Sequence, residues 1–219
     1  TLDRSSAASD VYKRQQLRQG SALLAADYGF RSAVNSGDEE TIQSVLENHG
    51  SRIGAAVTAL LATDLELRAV SLSDSMEQFP ATLRQVVPRL AQQPQGSQIA
   101  VMDGVPYQFV MVPMRAPVVI GWVLMGFRID QSRADEMRQL LSVHVALMIK
   151  SPEGAMTLSV STLPADARAL LLSTGGAAGE LQTVEGTLLA RSSKLDSVGG
   201  EVHSCLLYTS DAADERSSV

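Results

Sequence analysis

The chain has little cysteine, few aromatic residues and no excess of positive charge. A single cysteine among 219 residues excludes a disulfide framework and any cysteine-based zinc site, because such a site needs several thiolates. The 18 basic and 24 acidic residues give a net charge of −6, which argues against a broad surface for nucleic acid backbones. No apolar run reaches the roughly 18–20 residues that span a bilayer; the longest, residues 118–127, has the length of a strand.

What the chain does contain is enough apolar material for a folded core. The apolar fraction is 45%, which excludes a collagen-like, low-complexity or fully disordered chain. Aromatic residues are only 4% of the chain. The length permits one or two domains.

The two ends of the chain differ from the rest, and the genetic code relates them to each other. The peptides SSAASDVYKRQ (residues 5–15) and CLLYTSDAADE (residues 205–215) are encoded by opposite strands of one DNA, which resembles a transposase adapter of sequencing libraries. We therefore predict that residues 1–15 and 205–219 are translated adapter, and we exclude them from fold reasoning. The insert, residues 16–204, is then expected to be a cysteine-free metagenomic fragment of a longer gene.

Hydrophobic periodicity gives an order of elements for the first part of the insert. A helix is predicted at 17–35 and a second one from the cap Asp38 to a stop at Gly50, with His49 packed and hydrogen-bonded rather than a ligand. Then follow strands at 55–62 and 66–72, a helix opened by Pro80, strands at 98–102, 105–112 and 118–128, and a helix capped by Asp130. Helices beside hairpin-connected strands indicate an antiparallel sheet in an α+β layer.

The same order then begins again. Strands are predicted at 143–149 and 156–162, a helix at 164–173, and strands at 181–184 and 187–192. We predict an α+β fold with a long N-terminal helix and tandem modules with antiparallel sheets. The second module, without a last strand or closing helix before the foreign tail, is expected to be incomplete. The predicted boundaries are 16–53 for the N-terminal helices, 54–142 for the first module and 143–204 for the second.

The sequence carries no signature of catalysis, of metal binding or of a cofactor. It has neither a nucleophile elbow nor a Walker loop. His49, His144 and His203 are far apart and lack metal-ligand spacing. The glycine-rich residues 175–179 follow a helix instead of a strand, so we interpret them as a connector and not as a phosphate loop. We predict no catalytic residue, no metal and no cofactor.

A pocket for a small molecule is the kind of site that the residues favour. Tyr107 shares one face of its strand with a phenylalanine, and Trp122 shares one face of the next strand with Arg128. Aromatic rings near an arginine suit a small carboxylate or amide ligand. Asp130 and Arg84 complete the candidate set. In the alternative reading the aromatics are core, Arg128 reaches solvent and Asp130 only caps its helix.

Three stretches of the insert together resemble the double Cache sensory domain of bacterial signalling proteins. They are FRSAVNSGDEETIQSVLENHGSRIGAAVTALLATD, VPYQFVMVPMRAPVVIGWVLMGFRID and VSTLPADARALL, at residues 30–64, 105–130 and 160–171. The resemblance extends over residues 17–195 and rests on fold and linker patterns. The amino-acid-binding motif of some relatives, a Tyr, Arg and Trp-Tyr cluster, is not recognisable here.

The resemblance implies a location, a fold and a function. Such domains lie on the periplasmic side of the bacterial inner membrane between two transmembrane helices, which would lie outside this fragment. A long N-terminal helix runs beside two stacked PAS-like modules, and the first module commonly holds a small ligand. The downstream parts are diguanylate cyclases, phosphodiesterases, histidine kinases or chemoreceptor modules, and the full-length form would be a homodimer.

These implications lead to one expected function and two alternatives. We expect a ligand-sensing domain that is not itself an enzyme, with a small molecule of unknown identity and no nucleic acid as its partner. A cytoplasmic PAS- or GAF-like regulatory module is the first alternative, and a fragment of a small enzyme is the second. An apolar segment of about 20 residues upstream of the insert would favour the first reading over the cytoplasmic one.

Overall fold

The computed structural model of the chain describes residues 17–93, 95–141, 143–151, 153–184 and 186–209. The predictions for residues 1–15, and for the part of the C-terminal tail from 210 on, lie outside these residues. The described chain forms two compact units. The N-terminal unit contains residues 17–103 and 107–128, and the C-terminal unit contains residues 104–106 and 129–209.

The predicted first helix is two helices in the structure. The described part of α1 is residues 17–26, and α2 is Tyr28–Ser36. Asp27 lies between them with extended backbone angles, and its carboxylate accepts a hydrogen bond from the Phe30 amide at 2.7 Å. This N-cap satisfies an amide that has no partner within the second helix, so the single helix predicted at 17–35 is corrected to a helix, a cap and a helix.

Helix α3 (Glu39–Ile53) begins at the predicted cap but ends later than predicted. The Asp38 side chain accepts a hydrogen bond from the Thr41 amide, which confirms it as the N-cap. The helix ends at Gly54, whose φ of 67° is left-handed, and not at Gly50 as the sequence indicated. Gly50 lies within the helix instead, where a Cβ would collide with the hydroxyl of Thr58 on the sheet. The glycine is therefore required for close helix–sheet packing.

The strands of the N-terminal sheet are β1 (Val57–Leu61), β2 (Leu67–Leu72), β3 (Gln98–Met102), β4 (Val105–Arg115) and β5 (Val119–Arg128), and α4 (Phe79–Gln92) lies between β2 and β3 in sequence. In this sheet, the strand pairs β1–β2, β1–β5 and β4–β5 are antiparallel. The order across the sheet is β3-β4-β5-β1-β2. Asp103 and Gly104 have φ values of 50° and 74°, as a two-residue hairpin turn requires. The predicted hairpins and the helix with proline in its first turn are confirmed.

The two faces of this sheet carry different cores. Helices α1, α2 and α3 pack with alternate strand residues such as Val110, Val123 and Met125 in one cluster. The intervening strand residues point to the other face, and Ala59, Met111 and Leu124 among them are at most 2% exposed. Helix α4, which contacts β3, buries its own apolar side toward the sheet. We call this second surface the α4 face.

The C-terminal unit repeats the α+β pattern. Its strands are β6 (His144–Lys150), β7 (Met156–Ser161), β8 (Gly179–Thr183), β9 (Gly186–Leu195), β10 (Ser197–Val198) and β11 (Glu201–Thr209), with helices α5 (Gln131–Leu141) and α6 (Ala165–Ser173). The larger strands form one sheet in the order β7-β6-β11-β9-β8, and its pairings are antiparallel. An α+β chain with two antiparallel sheets is therefore confirmed.

Strand β11 corrects the expectation that the second module has no last strand. It lies at the centre of the sheet between β6 and β9, and it runs into the segment predicted to be adapter. Cys205 and Leu207 are fully buried in the core with α6. The strand was missed because residues 205–209 were excluded from fold reasoning. Their origin as translated adapter stays a prediction, whereas their place in the sheet is a structural fact.

Candidate functional site

The register of β4 and β5 brings two of the predicted site residues together. Tyr107 is directly opposite Arg128, and Phe109 is directly opposite Gly126. Residues opposite each other in an antiparallel pair project on the same face, with Cβ atoms about 5 Å apart. Both pairs therefore belong to the α4 face, and the sheet places an aromatic side chain and a guanidinium group side by side at one of its ends.

Phe109 forms the apolar floor beside this pair. Its ring centroid is 6.4 Å from that of Tyr107, with the ring planes tilted by 42°. The ring covers Gly126, since a Cβ built at that position would be 2.5 Å from the Phe109 Cε1 atom. A side chain at this position would displace the ring, so the glycine gives the aromatic pair its place on the sheet.

Two buried hydroxyl groups on the α4 side have no hydrogen-bond partner among the residues that the structure describes. Tyr107 is 6% exposed, and Thr82, on the buried side of α4, is 4% exposed. A buried hydroxyl without a partner costs free energy, so such groups call for an explanation. A ligand with polar atoms would supply the missing partners. Thr82 was not singled out in the sequence because it stands within the apolar stripe of α4.

Charges of both signs act on the Tyr107 phenol. Burial raises the pKa of Tyr107, and the positive charge of Arg128 opposes that increase. The carboxylates of Asp74 and Asp103 raise the same pKa further, which places negative charge near the phenol as well. Arg128 and both carboxylates are exposed, so they can reach a ligand at the edge of the site. Asp74 lies between β2 and α4 and was not part of the predicted set.

The other predicted site residues do not lie beside Tyr107 and Arg128. Trp122 shares the face with Arg128, as predicted, but it lies opposite Leu61 and Pro113, and six residues of strand separate it from Arg128 by about 20 Å. Asp130 caps α5, because its carboxylate accepts the Arg133 amide at 3.1 Å, as the alternative reading had it.

The other two predicted side chains also have structural surroundings of their own. Arg84 is exposed on α4, on the side away from the buried residues of that helix. His49 is packed and hydrogen-bonded, as predicted. Its Nε2 atom lies 2.9 Å from the carbonyl oxygen of Gly20 in α1.

A separate charged cluster lies on the sheet of the C-terminal unit. Glu201 contacts Lys194 at 2.9 Å, His203 at 2.8 Å and Lys150 at 3.9 Å. The hydrogen bonds from His203 and Lys194 lower the pKa of Glu201 to about 2. The carboxylate is therefore ionised over the physiological range and is satisfied by its neighbours, which gives the cluster a structural role.

Two further properties can be stated for the part of the chain that the structure describes. Within it, no helix is both long and apolar enough to cross a membrane. The described ranges also contain no group of three or more His, Cys, Asp or Glu residues arranged to hold a metal ion.

Comparison with protein families gives one match over most of the chain. A family model described as the double sensory domain of two-component sensor kinases matches residues 8–201. No curated protein matches the sequence.

Solved structures with a similar fold include two of one periplasmic domain. The periplasmic domain of Vibrio cholerae LuxQ is 13% identical with a TM-score of 0.60, and the match covers 95% of this chain and 100% of that one. A second structure of that domain is 12% identical with a TM-score of 0.62, covering 97% and 100%. At this level of identity the likeness shows a shared fold.

Proposed function

The chain belongs to the double Cache family, the double sensory domains of two-component sensor kinases, and we propose that it senses a small polar ligand at the α4 face of its N-terminal unit. Membership makes its function sensory and not catalytic, in keeping with the expectation of a non-enzymatic domain. Family membership favours neither of the two alternatives, the cytoplasmic regulatory module and the enzyme fragment.

The observation that carries this proposal is the pair of buried hydroxyls at Tyr107 and Thr82. Both residues are more than nine-tenths buried, and neither hydroxyl has a hydrogen-bond partner within the described residues. Without a partner, a buried hydroxyl at either position costs more in desolvation than a Phe or Val of similar shape would. A ligand with polar atoms that bond to both hydroxyls would supply the partners that they lack.

The charges at the rim suggest the chemistry of the ligand. Arg128 suits a carboxylate or another anionic group, since guanidinium forms paired hydrogen bonds with such groups. Asp74 and Asp103, which act on the same phenol, suit an ammonium group. We therefore propose a small ligand that carries both signs of charge. Trp122, Arg84 and Asp130 stay predictions as ligand residues, and the proposal does not depend on them.

We further propose the setting implied by the family. The domain would lie on the periplasmic side of the inner membrane, in a longer receptor that contains transmembrane helices and an output module. Association of two copies is supported by Leu23 and Tyr28, which are 69% and 80% exposed on α1 and α2. Large apolar side chains without cover on neighbouring helices are typical of protein interfaces.

A thermal-shift screen tests the proposed ligand class. Amino acids represent ligands with both charges, dicarboxylates represent anions and polyamines represent cations. A ligand at about 100 times its Kd stabilises a protein by about 2.7 kcal/mol, which for a chain of this size corresponds to roughly 5–10 °C in Tm. We expect the largest increase among the compounds that carry both charges.

Matched variants locate the effect. Arg128→Gln and Tyr107→Phe are expected to weaken binding by roughly 10- to 100-fold, because each removes a hydrogen bond to a charged or buried partner. Arg52→Gln, at an exposed position near the end of α3, removes an arginine elsewhere in the same unit and is expected to leave the shift unchanged. A ligand that stabilises all three variants as well as it stabilises the native chain would contradict the assignment of the site.

A further inference from the structure

Strand β4 extends beyond its neighbour β3, and in the part of the chain that the structure describes no strand pairs with the rest of that edge, which we call the open edge. The two strands adjacent to β4 are β3 and β5. The two-residue turn at 103–104 pairs the end of β3 with the start of β4, so the first residue of β3, Gln98, lies opposite Phe109. Since β4 continues to Arg115, residues 110–115 extend past the last residue that β3 can pair.

The alternation of hydrogen bonds determines which backbone groups point to that edge. The Ile129 amide donates to the Pro106 carbonyl at 2.9 Å, so even-numbered residues of β4 bond to β5. Odd-numbered residues direct their amide and carbonyl groups to the opposite side. The carbonyls of Met111 and Pro113 therefore point to the open edge, and Pro113 has no amide hydrogen to leave unpaired there.

Two arginines from the N-terminal helices bond to this edge. Arg18 of α1 donates from Nη1 to the Met111 carbonyl at 3.3 Å, and Arg31 of α2 donates from Nη1 to the Arg115 carbonyl at 2.9 Å. Burial lowers the pKa of the Arg18 guanidinium, which agrees with its position between helix and sheet. The acceptors are backbone atoms four residues apart, so the contacts depend on the strand geometry and not on a neighbouring side chain.

We propose that Arg18 and Arg31 form a latch that holds α1 and α2 on the open edge of β4. Guanidinium groups are suited to this role because they donate several hydrogen bonds and stay charged. When the latch opens, the helices lose these two bonds to β4 and keep their apolar contacts and the hydrogen bond between His49 and the Gly20 carbonyl. The strand edge then exposes backbone carbonyls that invite pairing with another strand. The two helices thereby have a held and a released arrangement.

The latch also gives β4 a connection between the two faces of the sheet. The Met111 side chain points to the α4 face, beside Phe109, whereas its carbonyl holds Arg18 on the helix side. A shift of β4 at the ligand face would therefore strain or release α1. This connection to sensing rests on the proposed function, but the latch does not, so the test is made without a ligand.

Hydrogen–deuterium exchange of the whole chain tests the latch. The double variant Arg18→Gln/Arg31→Gln removes the charged donors while keeping polar side chains. We expect amides of α1 and α2 to exchange roughly tenfold faster than in the native chain, the effect of losing about one hydrogen bond from local stability. Amides of the central strand β1 are expected to keep their native rates, because both arginine bonds are made to β4, which is separated from β1 by β5.

The control and the contrary result separate a latch from general stabilisation. Arg52→Gln removes an exposed arginine of α3 and is expected to leave exchange in α1 and α2 unchanged. Equal acceleration in α1, α2 and β1 would overturn the proposal, since it would mean that the arginines only stabilise the unit as a whole. Unchanged exchange in the helices would overturn it as well. If the double variant does not fold, Arg31→Gln alone is expected to accelerate α2 and not β1.

Discussion

Replacing Gly126 by alanine is expected to destabilise the N-terminal unit by forcing the Phe109 ring away from the sheet. The φ angle of Gly126 is not in the left-handed region, so an alanine is not strained in its backbone. The added Cβ would, however, be 2.5 Å from Cε1 and 2.9 Å from Cζ of Phe109. Such contacts are closer than carbon atoms tolerate, so the ring or the strand must move.

The size of the effect follows from the burial of the ring. Phe109 is 1% exposed and its ring centroid is 6.4 Å from that of Tyr107, so a displaced ring has to move against neighbouring side chains. Overpacking of this kind costs about 1–3 kcal/mol. For a chain of this length, a cost of about 2 kcal/mol corresponds to roughly 4–8 °C in Tm. The aromatic pair would also be displaced from Arg128, so ligand binding is expected to weaken together with stability.

Thermal and urea unfolding measure the cost, and a second substitution identifies its cause. Phe109→Leu removes the part of the ring that covers Gly126, so in that background Gly126→Ala is expected to cost less than about 0.5 kcal/mol. Gly29→Ala makes the same change in α2, where a Cβ meets only the Asp27 carboxylate at 3.4 Å, and is expected to be neutral or stabilising. A Gly126→Ala protein as stable as the native one, or a cost that persists with Phe109→Leu, would refute the reasoning.

Three further predictions concern packing, charge and capping. Gly50→Ala is expected to cost about 1–3 kcal/mol in urea unfolding, and much less in a Thr58→Ala background, because the added Cβ collides with that hydroxyl; equal costs in both backgrounds would speak against this. The pKa of Glu201 is lowered from 4.5 to about 2 by hydrogen bonds that include His203, so its stabilisation is complete above pH 4.5 and is lost as the pH falls toward 2. Stability measured across that range should depend less on pH in Glu201→Gln, and an unchanged dependence would count against the cluster. Asp130→Ala should lower stability by about 1 kcal/mol in thermal unfolding through loss of its cap, without weakening ligand binding; a loss of binding would instead support a ligand role.

The ends of helices were predictable where the signal is local. A cap joins a side chain to an amide three residues later, so Asp38 and Asp130 were identified from the sequence alone. The interruption at Asp27 uses the same chemistry, but the apolar spacing continues across it and concealed it. Gly50 was read as a stop because glycine often ends helices. Its reason for being glycine lies in Thr58, which belongs to another element.

The candidate site was only partly predictable, because register is not local. Alternation along β5 placed Trp122 and Arg128 on one face, as observed, but it does not give their separation from residues on other strands. That Tyr107 lies opposite Arg128 depends on the pairing of β4 with β5. Thr82 had no signal at all, since a threonine within an apolar helix stripe is common and only its missing partner makes it informative.

The central strand of the second sheet was missed for a different reason. Its alternate residues Cys205 and Leu207 are buried in the core with α6, but residues from 205 on were excluded as foreign. A strand needs only apolar side chains at the inward positions of its register, whatever the origin of the segment.

The location of the bound ligand tests the central claim most directly, and methionine methyl groups report it. The chain has 8 methionines. Met111 is on the α4 face, Met125 is in the core on the opposite face, and Met148 is in the C-terminal unit. In a chain labelled with ¹³C at the methionine methyls, we expect titration with the compound that raises Tm most in the screen to shift Met111 strongly and to leave Met148 in place. A saturable shift at Met148 with none at Met111 would contradict sensing at the N-terminal α4 face.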